Sequence, residues 1–284
     1  MTQDPGIHPE PFYEAPGFRP GPRLLLISPQ FPPAPSAGAL RWQKLSGFAA
    51  ERGWQMDVIA FPPSDPASLS EDRMAGLPDG IRIYGLPPVE LARERAEQAL
   101  WRWSRDLTGR EGSGSGEGGS QAGTQAGSGA DAAGPGTGAP ASPRRTPRRE
   151  RPQTLPPERI RWVPSEPRDL LRAYWSLLDF ARQGAWARAA TRLALRIVDP
   201  DHHEAVISCG PPQMSSHEAG RAVSAATGLP FAMDLRDPWS SLRRCAERAA
   251  SPVWFALARR HEARAVRQAS LVVANTEPVR ADLE

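Results

Sequence analysis

Four residues of the segment Asp234-Leu-Arg-Asp-Pro-Trp239 carry chemistry, and the segment follows directly on an apolar run, Phe231–Leu235. Strand alternation sends Asp234 and Arg236 to the same side. Pro238 ends the extended stretch, and the flat ring of Trp239 suits stacking on a sugar or base. Asp237 adds a second carboxylate. A purely structural Asp/Arg pair, held by charge-assisted hydrogen bonds, is the competing reading. The two Asp residues have no further carboxylates close by in sequence, so a metal role is not expected of them.

A second group lies in CGPPQMSSHEAG, residues 209–220. Ser215-x-x-Glu218 has the spacing of a capping box, which would put Ser216 at a helix start and His217 in its first turn. There the helix dipole disfavours the imidazolium and leaves a neutral ring able to donate or accept a hydrogen bond. The alternative is a solvated histidine at a helix start. Cys209 reads as a small buried residue, because no base has a defined relation to it. The loop SPQFPPAPSAG, residues 28–38, supplies a third group. Ser36 is a candidate cap, Gly38 permits close approach to the backbone, and Arg41 follows within a turn. Free amides at such a helix start favour an anion or a hydroxyl-rich ligand, and a Pro-rich structural turn is the alternative. Asn275 ends a fourth apolar run.

Those residues need a scaffold that brings the ends of several strands together. Short apolar runs alternate with helical patterns, which predicts β-α-β units and a Rossmann-like parallel α/β sheet with helices on both faces. Strands are expected at Arg23–Ser28, Gln55–Ala60, Ile81–Leu86, Ala205–Ser208, Phe231–Leu235 and Leu271–Ala274. Helices are expected at Gly38–Arg52, Glu90–Leu107, Arg168–Val198, Ser216–Thr227 and Val253–Ala269, with a start of another at Thr276. Leu45, Phe48 and Ala49 mark the apolar side of the first. Leu171, Trp175, Leu178, Ala185, Ala189, Leu193 and Ile197 mark that of the third, opposite an arginine-rich side. In such a sheet the ligand site lies at the carboxyl ends of the strands, where all four polar groups fall.

The chain has 284 residues with 25 Gly and 32 Pro, unevenly spread. The 46 positions of Gly109–Thr154 contain no Val, Ile, Leu, Met, Phe, Trp, Tyr or Cys, too little apolar surface to offset the entropy of ordering. The expected organisation is a disordered leader (1–20), the first part of the Rossmann-like domain (21–108), a disordered insert (109–157) and the second part of the same domain (158–284). Arg144–Arg151 carries net +4 of a formal total of +3, so the rest is near neutral and nucleic acid is not an expected partner. Two cysteines fit a reducing cytoplasm, and the N-terminus lacks a signal-peptide core. Neither GxGxxG nor GxxxxGK[ST] is present, which removes the best evidence for nicotinamide, flavin or P-loop chemistry. Trp101 and Trp103 with Arg95 and Arg105 offer weak peripheral contact with a membrane's inner face. Packed Trp with solvated Arg is the blander reading.

LLLISPQFPPAPSAGALRWQKLSGFAAERGWQMDVIA resembles the opening of the family 4 glycosyltransferases of GT-B fold. EAVISCGPPQMSSHEAGRAVSAATGLPFAMDLRDPWS and EARAVRQASLVVANT resemble the second half of the same N-terminal domain. The resemblance implies a retaining, metal-independent hexosyltransferase of cell-envelope glycan biosynthesis, needing no cofactor beyond a nucleotide-sugar donor substrate. Its acceptor would be a glycan, a lipid-linked glycan or a small molecule. It further implies His217, Arg236 and Asp237 facing the reacting sugar, and Gly38, Arg41, Ser216, Asp234, Trp239 and Asn275 binding substrate. The expected reading is the acceptor half of such an enzyme, whose donor-binding domain is missing or separately encoded. The alternative is a non-catalytic glycan- or partner-binding module.

Overall fold

Each parallel strand of the computed structural model is built on a short apolar run stopped by Pro, Gly or a polar turn. The model describes residues 10–19, 21–63, 74, 76–91, 167–210, 213–236 and 251–283. The strands are β1 (Tyr13–Glu14), β2 (Arg23–Ile27), β3 (Gln55–Ala60), β4 (Ile81–Gly85), β5 (His203–Cys209), β6 (Phe231–Leu235) and β7 (Leu271–Ala274). The helices are α1 (Ala37–Glu51), α2 (Pro167–Ile197), α3 (Gln213–Thr227), α4 (Pro252–Gln268) and α5 (Glu277–Leu283). All seven strands join in one sheet of order β1-β4-β3-β2-β5-β6-β7. It is parallel throughout except where β1 pairs antiparallel with β4. From β4 to β7 the order is that of a doubly wound nucleotide-binding sheet, reversing direction between β2 and β5. The α/β, Rossmann-like reading of the sequence therefore holds.

The two faces bury separate cores. Leu25, Ile27, Ile59, Tyr84 and Val206 pack under Trp186, Ala190 and Leu193 of α2 and Ala219 and Val223 of α3. On the other face Leu26, Met56, Val58, Ile81 and Ile83 meet Trp42 of α1 and Phe31 of the loop before it. The Trp186 indole N–H donates to the Leu86 carbonyl at 3.1 Å, fastening α2 to the end of β4. Gly53 and Gly228 follow α1 and α3 at φ +80° and +76°, the left-handed conformation that ends a helix without a Cβ clash.

Several expectations are corrected. The leader is not structureless over its described part: Tyr13 and Glu14 pair with Ile83 and Arg82, and Ala15 is buried. Helix α1 turns a different side inward. Ala39, Trp42 and Ser46 are buried, whereas Leu45 and Phe48 are exposed. Ala39, Trp42 and Ser46 follow at spacings of three and four, so two small residues flank the one large side chain, Trp42, on the inward side. In α2 the expected stripe holds at Ala189 and Leu193 but fails at Leu171 and Trp175, which are exposed. A 31-residue helix is about 46 Å long, far beyond the reach of a five- to seven-residue strand, so its first turns overhang the sheet. The helix expected over Glu90–Leu107 lies, beyond Leu91, outside the described residues, as do the insert, Trp101, Trp103 and Cys245.

The amino-terminal edge of the sheet is closed by charge. Asp57, with no exposed side-chain surface, receives the Arg82 Nε and Nη2 hydrogens at 2.7 Å each. His203 Nε2 lies 3.1 Å from its other side. The Asp199 N–H donates to His203 Nδ1 at 3.0 Å, so the ring proton belongs on Nε2, facing the carboxylate. The Phe18 ring lies 3.8 Å beneath the Arg82 guanidinium, a cation–π contact that anchors the chain after β1. Burial works to raise the Asp57 pKa, but hydrogen bonds from His203 and Arg82 outweigh it and hold the carboxyl below its ordinary value. Removing the partner of a buried carboxylate costs about 3–5 kcal/mol. Arg82→Ala should therefore lower the urea midpoint strongly, with a loss in that range. A carboxyl with a lowered folded pKa stabilises above its unfolded value of 3.8 and loses that stabilisation as pH falls through the folded one. Asp57→Asn should accordingly flatten the acid limb of a stability profile below about pH 4.

Candidate functional site

The carboxyl ends of β2, β5 and β6 meet around the point where the strand order reverses, the usual ligand position in such a sheet. β2 leads through Ser28 and Phe31, both buried, into the Pro-rich loop. Phe31 belongs to the α1-side core and so pins the loop. Ser36 caps α1 by accepting the Ala39 N–H at 3.1 Å, as its position in sequence implied. β6 brings Asp234 to the same face as α1, since Asp234 is paired with Cys209 in the ladder and Cys209 belongs to the α1-side core.

Asp234 pairs with Arg41, not with Arg236. Arg41 Nη2 donates to Oδ1 at 2.9 Å and Nε to Oδ2 at 3.2 Å, a two-point fork between α1 and β6. The Asp234 side chain is 5 % exposed and that of Arg41 38 %, so the carboxylate is sealed and the guanidinium is half in water. Arg236, two residues on, comes over Gly38. A Cβ at position 38 would stand 2.6 Å from Arg236 Nη1 and 2.8 Å from Gln30 Oε1. The close approach expected of a ligand at Gly38 is thus made by the chain's own guanidinium and amide. Gln30 is the residue that sequence reasoning missed. It lies inside the loop already singled out, and only its distance to Gly38 distinguishes it. Beside this group the loop and α1 frame a hollow of about 400 Å³ lined by Pro33, Pro35, Leu40 and Gln43 among others.

The other candidates lie apart. His217 is fully buried, with Nδ1 hydrogen-bonded to Ser208 Oγ at 2.7 Å. Ser208 precedes Cys209 in β5 and so faces the opposite side of the sheet from Asp234. The solvated-histidine alternative is therefore excluded, and His217 belongs to the α3 side. Burial alone drives its pKa to about 3, leaving a neutral ring. The capping box is not formed: α3 begins at Gln213, which places Ser215 and Ser216 inside the helix, both buried. Glu218 instead binds Arg221 at 2.6 Å. Asn275 is exposed immediately after β7, and Asp237 and Trp239 lie outside the described residues. Burial, then the nearby Asp234, pushes the Cys209 thiol up to about 12, so it stays protonated. Among the described residues no group of three or more His, Cys, Asp or Glu side chains is gathered as metal ligands would be. No helix among them is long and apolar enough to cross a membrane.

No protein-family model and no curated protein matches the sequence. Among solved structures the chain is similar to apo UGT2 from Phytolacca americana, at 11 % identity and a TM-score of 0.38. The match covers 90 % of this chain and 46 % of that one, so the chain spans a little under half the length of the protein it matches.

Two outcomes follow from this geometry. Arg41→Ala strands a buried carboxylate and should cost about 2–3 kcal/mol in urea unfolding, less than a fully buried pair because Arg41 is half solvated. The double variant Arg41→Ala/Asp234→Ala should recover part of that loss, which a double-mutant cycle measures. His217 has a folded pKa near 3 against 6.5 unfolded, so only the unfolded chain takes up its proton as pH falls between those values. Stability should drop there by roughly 1 kcal/mol per pH unit on this account. His217→Gln should lessen that slope while leaving stability above pH 7 pH-independent at this position.

Proposed function

We propose that the chain carries the acceptor-side half of a retaining glycosyltransferase of GT-B fold, similar to family 4, which works together with a donor-binding domain. The observation that supports this is the polar cluster Gly38, Gln30, Arg236, Arg41 and Asp234 at the reversal of strand order. In this reading Arg236 meets the developing charge or a hydroxyl of the reacting sugar, as a rigid fork of donors does. The Arg41–Asp234 pair fixes the α1 start against β6 so that loop amides and guanidinium keep one geometry. Asp237, next to Arg236 in sequence, is the second residue that this reading assigns to the reacting sugar. Trp239 and Asn275 are the further residues that this reading assigns to substrate binding. His217, sealed behind Ser208, acts as a positioning residue under the α3 start. Glycan or lipid-linked acceptor and nucleotide-sugar are the substrates of the assembled enzyme, and the cytoplasmic side of a membrane its place of work.

A second reading, a non-catalytic glycan- or partner-binding module, draws on the burial of His217. That burial leaves the α1-side cluster without a described imidazole for proton transfer. Saturation-transfer NMR on the purified chain tests both. Acceptor-type oligosaccharides should give transfer that Arg236→Ala reduces at least fivefold, and UDP- or GDP-sugars should give none. Donor signals from this chain alone would overturn the division into halves. Glycan signals unchanged by Arg236→Ala would remove the cluster from the binding surface. Hexose transfer on mixing with a separately expressed donor domain distinguishes the enzyme from the module.

A further inference from the structure

On the sheet face opposite α1, helices α2, α3 and α4 do not close on one another. They leave a cleft of about 700 Å³, within the range that holds a small organic ligand. Its room comes from small residues: Ala181 and Gly184 on α2, three apart, sit where larger side chains would meet α3. A Cβ at Gly184 would only just touch Met214 and Arg188, at 3.8 and 3.7 Å. Phe180 and Met214 belong to a buried apolar cluster with Ala258, and they form the floor.

The rim has the opposite character. Arg188 and Arg192, one turn apart on α2, and Arg221 on α3 line the opening, with Glu218 as its one carboxylate and His261 beside it. Arg221 is held in place, donating to Glu218 at 2.6 and 3.2 Å and to Gln268 at 3.2 Å. Glu218 also faces His261 Nδ1 at 3.3 Å, and the His261 ring packs edge-on against Phe180. Glu218 is thus already engaged from two sides by Arg221 and His261, and Arg188, which has no ion-pair partner among the described residues, adds a further positive charge to the rim. A fixed cation above an apolar floor discriminates a ligand with two parts. Neither a bare anion nor a bare hydrocarbon uses both.

We propose that this cleft binds an amphiphilic anion: a phosphate or similar group on the Arg188/Arg192/Arg221 rim, with its apolar body over Phe180 and Met214. The site is independent of the glycosyl-transfer reading, because it lies across the sheet from Gly38 and Arg236. Isothermal titration of the full chain with monomeric dodecyl phosphate is the test. Wild type should bind saturably at one site, and inorganic phosphate at least tenfold more weakly. Arg188→Glu/Arg192→Glu, which alters exposed side chains only, should weaken dodecyl phosphate binding at least tenfold. Gly184→Leu, which fills the cleft, should do the same while thermal unfolding shows both variants folded. Phosphatidylcholine vesicles doped with dodecyl phosphate separate two sources of such a ligand. Pelleting that the charge-reversed variant abolishes indicates a ligand presented by a bilayer, and solution binding without pelleting indicates a free amphiphile. Absence of binding by wild type, equal binding by the variants, or inorganic phosphate binding as tightly as dodecyl phosphate would each overturn the proposal.

Discussion

A carboxylate placed inside an apolar strand must be met by a cation, and this sheet contains two such carboxylates at opposite ends. Asp57 sits near the amino-terminal edge and Asp234 at the carboxyl edge, and each is gripped by an arginine through two nitrogens. Neither pair is required for hydrophobic stability, since apolar residues of like volume often serve as well in such places. What the pairs supply is direction. The Asp57 group fixes how β3, β4 and β5 begin relative to one another, and the Asp234 group fixes where α1 starts relative to β6. The loop after β2 is short and Pro-rich, so once α1 is anchored, the positions of Gln30, Gly38 and Arg236 follow.

The same sheet separates the polar residues by face. Arg41, Asp234 and Cys209 share the α1 side, whereas Ser208 and His217 lie on the α3 side. Two residues adjacent in β5 therefore serve different neighbourhoods. The α3 side is where burial dominates, and there a histidine is reduced to a neutral hydrogen-bonding group. On the α1 side water reaches the guanidinium of Arg41, whose side chain is 38 % exposed.

Local pattern carried most of the fold. β3 and β6 fall where apolar runs bounded by Gly, Pro or polar turns placed them, because a buried parallel strand leaves little else for the sequence to encode. β7 also falls on its apolar run, although its residues are exposed or half-buried. What escaped was long-range. The partner of Asp234 lies 193 positions away, while Arg236 is two residues off and on the same side, so proximity in sequence pointed to the wrong arginine. The inward side of α1 was misjudged because large apolar residues outweigh small ones in any periodicity count, whereas the sheet accepted Ala39 and Ser46. β1 was missed because two residues in a Pro-rich stretch have no period at all, and their pairing exists only through β4. The burial of His217 was hidden because α3 starts earlier than the capping pattern implied.

β1 has a bearing on how the chain is handled. Phe12 and Ala15 extend its ladder by donating to Ile83 and Ile81, so the outward backbone groups of β4 are occupied within the molecule. A chain begun at the first parallel strand would bare that edge and lift Phe18 from Arg82. The result would be a ready template for strand addition by neighbouring molecules. The short N-terminal segment, which lends the core Ala15 and the partial packing of Phe12 and Tyr13, thereby also shields that edge. Expression boundaries drawn by sequence periodicity alone would cut away the residues that cover the β4 edge.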